Sequence, residues 1–416
     1  DTPKALRLTI GLFGRRNVGK SSLVNALVGQ SVSIVSPQAG TTTDPVDKTM
    51  ELAPLGPIVL VDTAGIDDVG ELGALRTERT EATFAHTDLA VVVTDATGIG
   101  ADEERLLAAF RSSGTPVVVA VNKADLVAPD AVLADVARRG LAAVAVSAAT
   151  GDGIAALRRA IVAAAPDPAI EEPRLLGDLL RPGALVVLVV PIDLGAPKGR
   201  LILPQVMAIR DILDSDAAVL TVKERELAPT LASLGRRPDL VVCDSQVVLK
   251  ASADTPPDVP LTTFSILMAR FKGDLVGFAR GAAAIDRLRP GARVLVAEAC
   301  SHHALADDIG RVKIPRWLRQ YAGGDLVFDH CAGRDFPTDL SPYALVVQCG
   351  GCSVNRRIVA ARQRLAAEQG VAMTNYGVAI SRVQGVLERA LAIFPAALAA
   401  VEAERRAAAT REPAAV

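Results

Sequence analysis

Gly14-Arg15-Arg16-Asn17-Val18-Gly19-Lys20-Ser21 decides how the first third of this chain is read. The stretch follows an apolar run at 8–13 and leads into helical patterning. It therefore fits G-x-x-x-x-G-K-[ST] in the strand–loop–helix setting that the motif requires. Glycines let backbone N–H groups curl around phosphate oxygens with no Cβ in the way. A helix beginning near Lys20 adds the positive end of its dipole. Lys20 is then placed for the β- and γ-phosphates and Ser21 for Mg²⁺. Gly14, Asn17, Gly19 and Ser22 are expected to complete the phosphate cradle.

Outward from this loop, apolar runs recur at 58–61, 89–93, 117–121 and 142–146, with helical stretches such as 103–111 between them. Each run is continuous rather than alternating, as strands buried on both faces are. The pattern predicts an α/β fold with a doubly wound, mostly parallel sheet. The partners of the phosphate loop follow in order. Val59-Leu60-Val61-Asp62-Thr63-Ala64-Gly65 puts Asp62 at a strand end, where it can reach Mg²⁺ through water. Gly65 can offer its N–H to the γ-phosphate. Val121-Asn122-Lys123-Ala124-Asp125 ends the next-but-one strand. The Asp125 carboxylate can accept from both N1–H and the exocyclic amine of guanine. Adenine presents no such donor pair, so GTP is selected over ATP. Ser147-Ala148-Ala149 completes the base pocket.

This part resembles the translation-factor-like GTPases, especially the Era, TrmE and EngA group. The resemblance implies a first switch at Gly40-Thr41-Thr42-Thr43-Asp44, with Thr42 supplying a hydroxyl toward Mg²⁺. The expected catalytic set is Lys20, Thr42, Asp62 and Gly65, with Mg²⁺ held through Ser21, Thr42 and Asp62. Asn17 stands where potassium-activated members carry an Asn that coordinates K⁺; stabilising the loop turn is the alternative. No Gln follows Gly65 in Ile66-Asp67-Asp68, so intrinsic hydrolysis is expected to be slow.

The chain has 416 residues, enough for two or three domains. Half are hydrophobic and 22% are charged, which excludes a disordered chain. The 45 basic and 47 acidic residues nearly balance, which argues against a nucleic-acid partner. The longest apolar run, at 184–192, is short of the roughly 20 residues of a membrane span. A first strand near Leu6 leaves no room for a secretory signal, so a cytoplasmic location is expected. Five cysteines, an odd number, do not read as a disulfide framework.

A proline-rich, acidic stretch at 165–173 reads as a linker. A second α/β pattern follows, with strands at 184–190, 217–222 and 239–243 and helices at 206–213 and 225–234. It carries no evident chemistry, and Cys243 reads as a core thiol. An association module is the natural reading. The stretch 254–260 marks a second break. Beyond it, strands at 293–297 and 343–347 lead into Cys300-Ser301-His302-His303 and Gln348-Cys349-Gly350-Gly351-Cys352. Open α/β sheets place their ligands beyond such carboxyl ends. Cys300, Cys349 and Cys352 with His302 could close a structural zinc site. Three Cys with an uncertain fourth ligand suit a 4Fe–4S cluster equally well.

Cys300–His303, Asp308–Leu318, Asp335-Phe336-Pro337, Cys349–Arg357 and Thr374–Val378 resemble the C-terminal domain of the HydF family, the maturation GTPases of FeFe-hydrogenase. The stretch 196–205 is similar too. The resemblance implies three successive α/β domains: a GTPase domain at 1–168, a dimerisation domain at 174–255 and a cluster-binding domain at 261–410. It implies a homodimeric scaffold that carries a 4Fe–4S cluster on Cys300, Cys349 and Cys352. That scaffold passes a di-iron precursor to apo FeFe-hydrogenase, with radical-SAM maturation enzymes as further partners. One departure stands out. The family pattern is C-x-H, then H-C-x-x-C, and here Gln348 replaces the second His. The fourth iron position is therefore expected to be open, solvent-bound, or reached by His302 or His303. His330-Cys331 lacks a following Cys and is expected to be incidental, and His86 a surface or packing residue. The alternative is an RNA- or ribosome-associated GTPase with a structural zinc.

Overall fold

Continuous runs of Val, Leu, Ile and Ala form most of the strands, and one alternating segment, Val46–Leu52, adds an edge. The computed structural model describes residues 7–29, 46–66, 83–84, 87–166, 174–192, 199–299, 308–333 and 335–411. Two units form, 1–171 and 172–416.

The first unit holds β1 (Leu8–Phe13), β2 (Val46–Leu52), β3 (Gly56–Asp62), β4 (Leu89–Thr94), β5 (Val117–Val121) and β6 (Ala142–Ala145). They form one sheet in the order β2-β3-β1-β4-β5-β6, parallel except for the β2–β3 pair. Helices Lys20–Val28, Ala101–Ser113, Asp130–Arg138 and Ile154–Ala164 follow their strands. On one face Ile10, Leu12, Leu23, Leu60 and Leu157 form the core. Elsewhere Phe13, Phe84 and Phe110 meet edge-on or tilted at 4.9–5.1 Å between ring centres. The edge strand β2 escaped the sequence reading because only one of its faces is covered. Asp47, Thr49 and Glu51 point out, and Leu52 points in, so it shows no continuous apolar run.

The second unit contains two parallel sheets. One consists of β7 (Leu185–Val189), β8 (Ala218–Val222), β9 (Leu240–Cys243) and β10 (Leu261–Thr263), in the order β10-β9-β7-β8. The other consists of β11 (Arg293–Glu298), β12 (Val327–Ala332), β13 (Leu345–Gln348) and β14 (Met373–Asn375), in the order β12-β11-β13-β14. The two share one continuous core. Helix Phe264–Lys272 helps join them, packing against helices Leu203–Asp214 and Arg356–Glu368; Ile266, Leu267 and Met268 on it are fully buried.

The expected boundary at 255–261 does not separate two domains here. Leu261 pairs with Val241, so a segment allotted to the third domain supplies the edge strand of the β10-β9-β7-β8 sheet. The proline-rich stretch before it is anchored rather than loose. Arg389 donates to Ser252 O at 2.5 Å, Thr255 O at 2.6 Å and Pro256 O at 2.9 Å. Prolines lack an N–H, but carbonyls in a proline-rich stretch still accept, and a distant arginine uses them.

In the second sheet of this unit the chain passes from β11 outward to β12 and then returns to β13 on the other side. The carboxyl ends of β11 and β13 therefore flank the point where strand order reverses, which is where open α/β sheets form a ligand crevice.

Candidate functional site

At the phosphate loop, tertiary bonds assemble what the sequence separates. Asn122 Nδ2 donates to Val18 O at 2.8 Å, and Ala148 N donates to Asn122 Oδ1 at 3.0 Å. One carboxamide thus ties the phosphate loop to both base-pocket segments. Gly19 has φ +92, and a Cβ there would collide with Asn122 Nδ2, so only glycine fits. Lys20 opens the first helix, is buried, and donates from Nζ to Gly14 O at 2.9 Å and Arg15 O at 2.8 Å. Asp62 ends β3, pairs in register with Leu12 of β1 two residues before the loop begins, and is buried. Ser21 and Ser22 lie on the first turn of the same helix.

The base-pocket residues are equally braced. Ser147 is fully buried, and its hydroxyl accepts from Thr150 N at 3.1 Å. Lys123 adopts φ +62 and pairs with Asp95 at 3.1 Å. Burial would raise the Asp95 pKa, but the Thr97 hydroxyl and amide and the Lys123 ammonium outweigh it, and the net shift is downward. Asp125 stands exposed on a turn closed by Leu126 N donating to Lys123 O at 3.0 Å. Asn17 is exposed with φ +62, a conformation that Asn tolerates better than most residues. Thr42 and the segment around it lie outside the described residues, as do Asp67, Asp68 and His86.

Sequence reasoning missed Arg15. Its Nε pairs with Glu103 Oε1 at 2.6 Å, and Nη2 donates to Thr97 Oγ1 at 2.8 Å and Gly98 O at 3.0 Å. Glu103 is fully buried and its other oxygen accepts from Gly100 N at 3.0 Å. A Glu three residues into a helix after a glycine is a recognisable capping signal; its bond to the phosphate loop is not.

The second site lies at the reversal point between β11 and β13. Their register pairs Val294 with Leu345 and Ala297 with Gln348. Cys349 immediately follows β13, and its Sγ accepts from Ala299 N at 3.1 Å. Cys300, His302 and His303 come next in the chain after Ala299 and lie outside the described residues. Gly351 turns with φ +66, freeing the backbone between the two cysteines, and Val354 N closes the turn onto Gly351 O at 3.2 Å. The buried Lys272 holds the same turn, donating from Nζ to Val354 O at 3.0 Å. Among the described residues no group of three or more His, Cys, Asp and Glu is arranged around a metal. The described part of the site nonetheless suits an anionic thiolate–metal centre: Cys349 and Cys352 are partly exposed, and Cys349 Sγ already receives an N–H.

Gln348 is fully buried, and its carboxamide is engaged at both ends. Oε1 accepts from Arg362 Nη1 at 2.9 Å. Nε2 faces Cys349 O at 3.4 Å and Cys349 Sγ at 3.5 Å. The remaining thiols stand apart. Cys243 ends β9 in the core, and burial pushes its pKa up. Cys331 lies on β12 opposite Ala297, and burial pushes it up to about 11. At pH 8 only about one Cys331 in a thousand is then thiolate, the reactive form. In the folded, metal-free protein, iodoacetamide should therefore modify Cys349 and Cys352 well before Cys243 and Cys331, as read by peptide mass spectrometry. Labelling of Cys331 as fast as Cys352 would contradict this.

Three family models match the chain in succession. The 50S ribosome-binding GTPase model matches 9–123, the hydrogen maturase F dimerization domain 175–273 and the hydrogen maturase F tetramerization domain 276–393. The last two together span more than half of the 416 residues. The chain belongs to the hydrogen maturase F family. Its dimerization domain runs to 273, past the expected end at 255, and so takes in β10 and helix Phe264–Lys272. The last segment, read from sequence as a cluster-binding domain, carries the family's tetramerization domain. Assembly therefore involves more of this hydrogen maturase F chain than the dimerisation module alone.

The GTPase domain is 41% identical over 160 residues to the tRNA modification GTPase MnmE of Burkholderia thailandensis, covering 36% of this chain and 33% of the relative. It is 39% identical over 173 residues to GTPase Der of Hyphomonas neptunium, covering 40% of this chain and 34% of the relative. The chain thus spans about a third of the length of these curated relatives. Among solved structures, Era of Aquifex aeolicus bound to GDP and AlF4⁻ aligns with a TM-score of 0.36 and 23% identity, over 55% of this chain and 98% of that one. Among the described residues no helix is long and apolar enough to cross a membrane.

Proposed function

We propose that this chain is a GTP-binding and GTP-hydrolysing scaffold of FeFe-hydrogenase maturation that holds a 4Fe–4S cluster and passes on a di-iron precursor. Membership of the hydrogen maturase F family supports the maturation role. The observation that carries the cluster is the placement of Cys349 at the strand-order reversal, with Ala299 N–H on its sulfur. Cys300, Cys349 and Cys352 are the proposed ligands, with His302 as the alternative fourth. When bound, such a cluster supplies an iron with no Cys ligand, to which a bridging group of the precursor can attach. The protein's part is to hold the three thiolates, cover them from the core side and keep Cys243 and Cys331 out of the chemistry.

In the GTPase domain, Lys20 meets the β- and γ-phosphates, Ser21, Thr42 and Asp62 hold Mg²⁺, and Asp125 selects guanine. Gly65 places its N–H at the γ-phosphate, and turnover is slow without a water-orienting Gln. The partners on this reading are apo FeFe-hydrogenase and the radical-SAM maturation enzymes, in the cytoplasm. Metal and sulfide analysis after anaerobic purification tests the proposal. Iron with acid-labile sulfide supports it. Zinc alone, at one per chain, would instead favour a GTPase with a structural zinc.

Potassium stimulation is a separate expectation. The left-handed backbone at Asn17 accounts for an Asn by itself, so the ion has to be tested directly. GTP turnover should be several-fold higher in potassium than in sodium salts. Asn17→Gly, which keeps the turn and removes the amide, should erase the difference. Equal rates for the parent protein in the two salts would rule out the role.

A further inference from the structure

Arg362 carries a charge that its surroundings do not match. It lies on helix Arg356–Glu368 and is only 5% exposed. Nη1 donates to Gln348 Oε1 at 2.9 Å and Nη2 to Gly333 O at 2.6 Å. Its guanidinium carbon sits 4.6 Å from the centre of the Phe336 ring. All these partners are neutral, and no carboxylate pairs with it among the described residues. Burying an uncompensated charge is strongly unfavourable unless an anion is close by. Burial lowers the Arg362 pKa, and the charges that Cys331 and Cys349 can carry oppose that. Cys331 stays protonated in the ordinary pH range. That leaves the Cys349 side, and Gln348 bridges the gap. Its carbonyl faces the guanidinium and its NH₂ faces Cys349 Sγ at 3.5 Å.

We propose that Arg362 and Gln348 form an internal counter-charge arm for an anionic, thiolate-bound centre at Cys349, with Gln348 a hydrogen-bond donor to the ligand sulfur and not itself a ligand. The inference rests on the cluster reading above. Two consequences follow from the chemistry. The oxygen by which a carboxamide would bind iron is already held by Arg362, so Gln348 leaves the fourth position open. Donation to a ligand sulfur, backed by a buried cation, withdraws electron density from the thiolate. Hydrogen bonds to the sulfurs and nearby charge are the levers that set such a cluster's potential, and this arm raises it. Arg362 and Gln348 are positioning residues on this account. A purely structural strut between Gly333, Phe336 and β13 would change stability and leave the potential alone.

The test is an EPR-monitored redox titration of the reconstituted full chain, with iron and sulfide measured per chain. The variants are Gln348→Leu, Arg362→Met and Arg362→Lys. Gln348→Leu and Arg362→Met should keep the parent's iron and shift the midpoint potential downward, and Arg362→Lys, which retains the charge, should recover part of the shift. If Gln348→Leu fails to fold, Gln348→Glu replaces it. Glu matches the Gln in shape, stays paired with Arg362 and loses the N–H donor, so the same downward shift is expected. Unchanged potentials in variants that retain their iron would reduce the arm to a strut. Loss of iron from a folded Gln348→Leu protein, with iron kept in Gln348→Glu, would make Gln348 a ligand and overturn the inference. A parent protein that takes up no iron would instead overturn the cluster reading itself.

Discussion

Lys20→Ala is expected to lower GTP turnover by a factor on the order of 10²–10³, or about 3–4 kcal/mol of transition-state stabilisation. Phosphoryl transfer is catalysed almost entirely by positioning and by charge placed on the phosphate oxygens. On the proposed reading Lys20 is the source of that charge; it is buried, and its Nζ donates to the carbonyls of Gly14 and Arg15. Alanine removes the ammonium and keeps the helix, since it is the best helix former. Phosphate release at saturating GTP measures the effect, and turnover within tenfold of the parent would count against the assignment. Asp62→Ala should act in the same direction by weakening the hold on Mg²⁺. Iron content should be unchanged in both, because the cysteines lie in the other compact unit. Loss of iron from a folded Lys20→Ala protein would contradict this division of labour.

Replacing any one of Cys300, Cys349 and Cys352 with Ala is expected to strip most of the iron and to abolish hydrogenase activation. On the proposed ligand set, two remaining thiolates would be left to hold a cluster that already lacks a fourth Cys. Cys349 is the most exposing test, because its sulfur is oriented by the Ala299 N–H and its backbone N donates to Ala297 O at 2.9 Å. Cys243→Ala and Cys331→Ala should keep both iron and activation, since these thiols point into the core. Iron per chain after anaerobic reconstitution is the readout. Full iron in Cys352→Ala would overturn the ligand set. The reduced cluster's spectrum should also respond to added imidazole or cyanide. A spectrum that ignores both would mean that the fourth position is filled, with His302 the first suspect.

The nucleotide site was legible because its signals are local. A phosphate loop needs particular residues within eight consecutive positions, and the strands that flank it need continuous apolar runs. Those runs matched β1 and β5 residue for residue. Three edge strands were not legible. β2 alternates, β12 is interrupted by Asp329 and His330, and β14 has three residues. A strand covered on one face or buried for only three residues leaves no run to find.

Sequence by itself determined the GTPase motifs, the buried strands and the place of the two cysteine segments after apolar runs. Each follows from the chemistry of neighbouring residues. Only tertiary structure decided that β11 pairs in parallel with β13, bringing Cys349 beside Ala299. It also decided that β10 belongs to the sheet before it and that Arg15 reaches Glu103. Above all, it decided that Gln348, a departure from the family pattern, is held between Arg362 and Cys349. These are contacts between residues far apart in the chain or on different elements. Their energies come from strand register, burial and the need to satisfy charges away from water, and the spacing of residues along one segment encodes none of those.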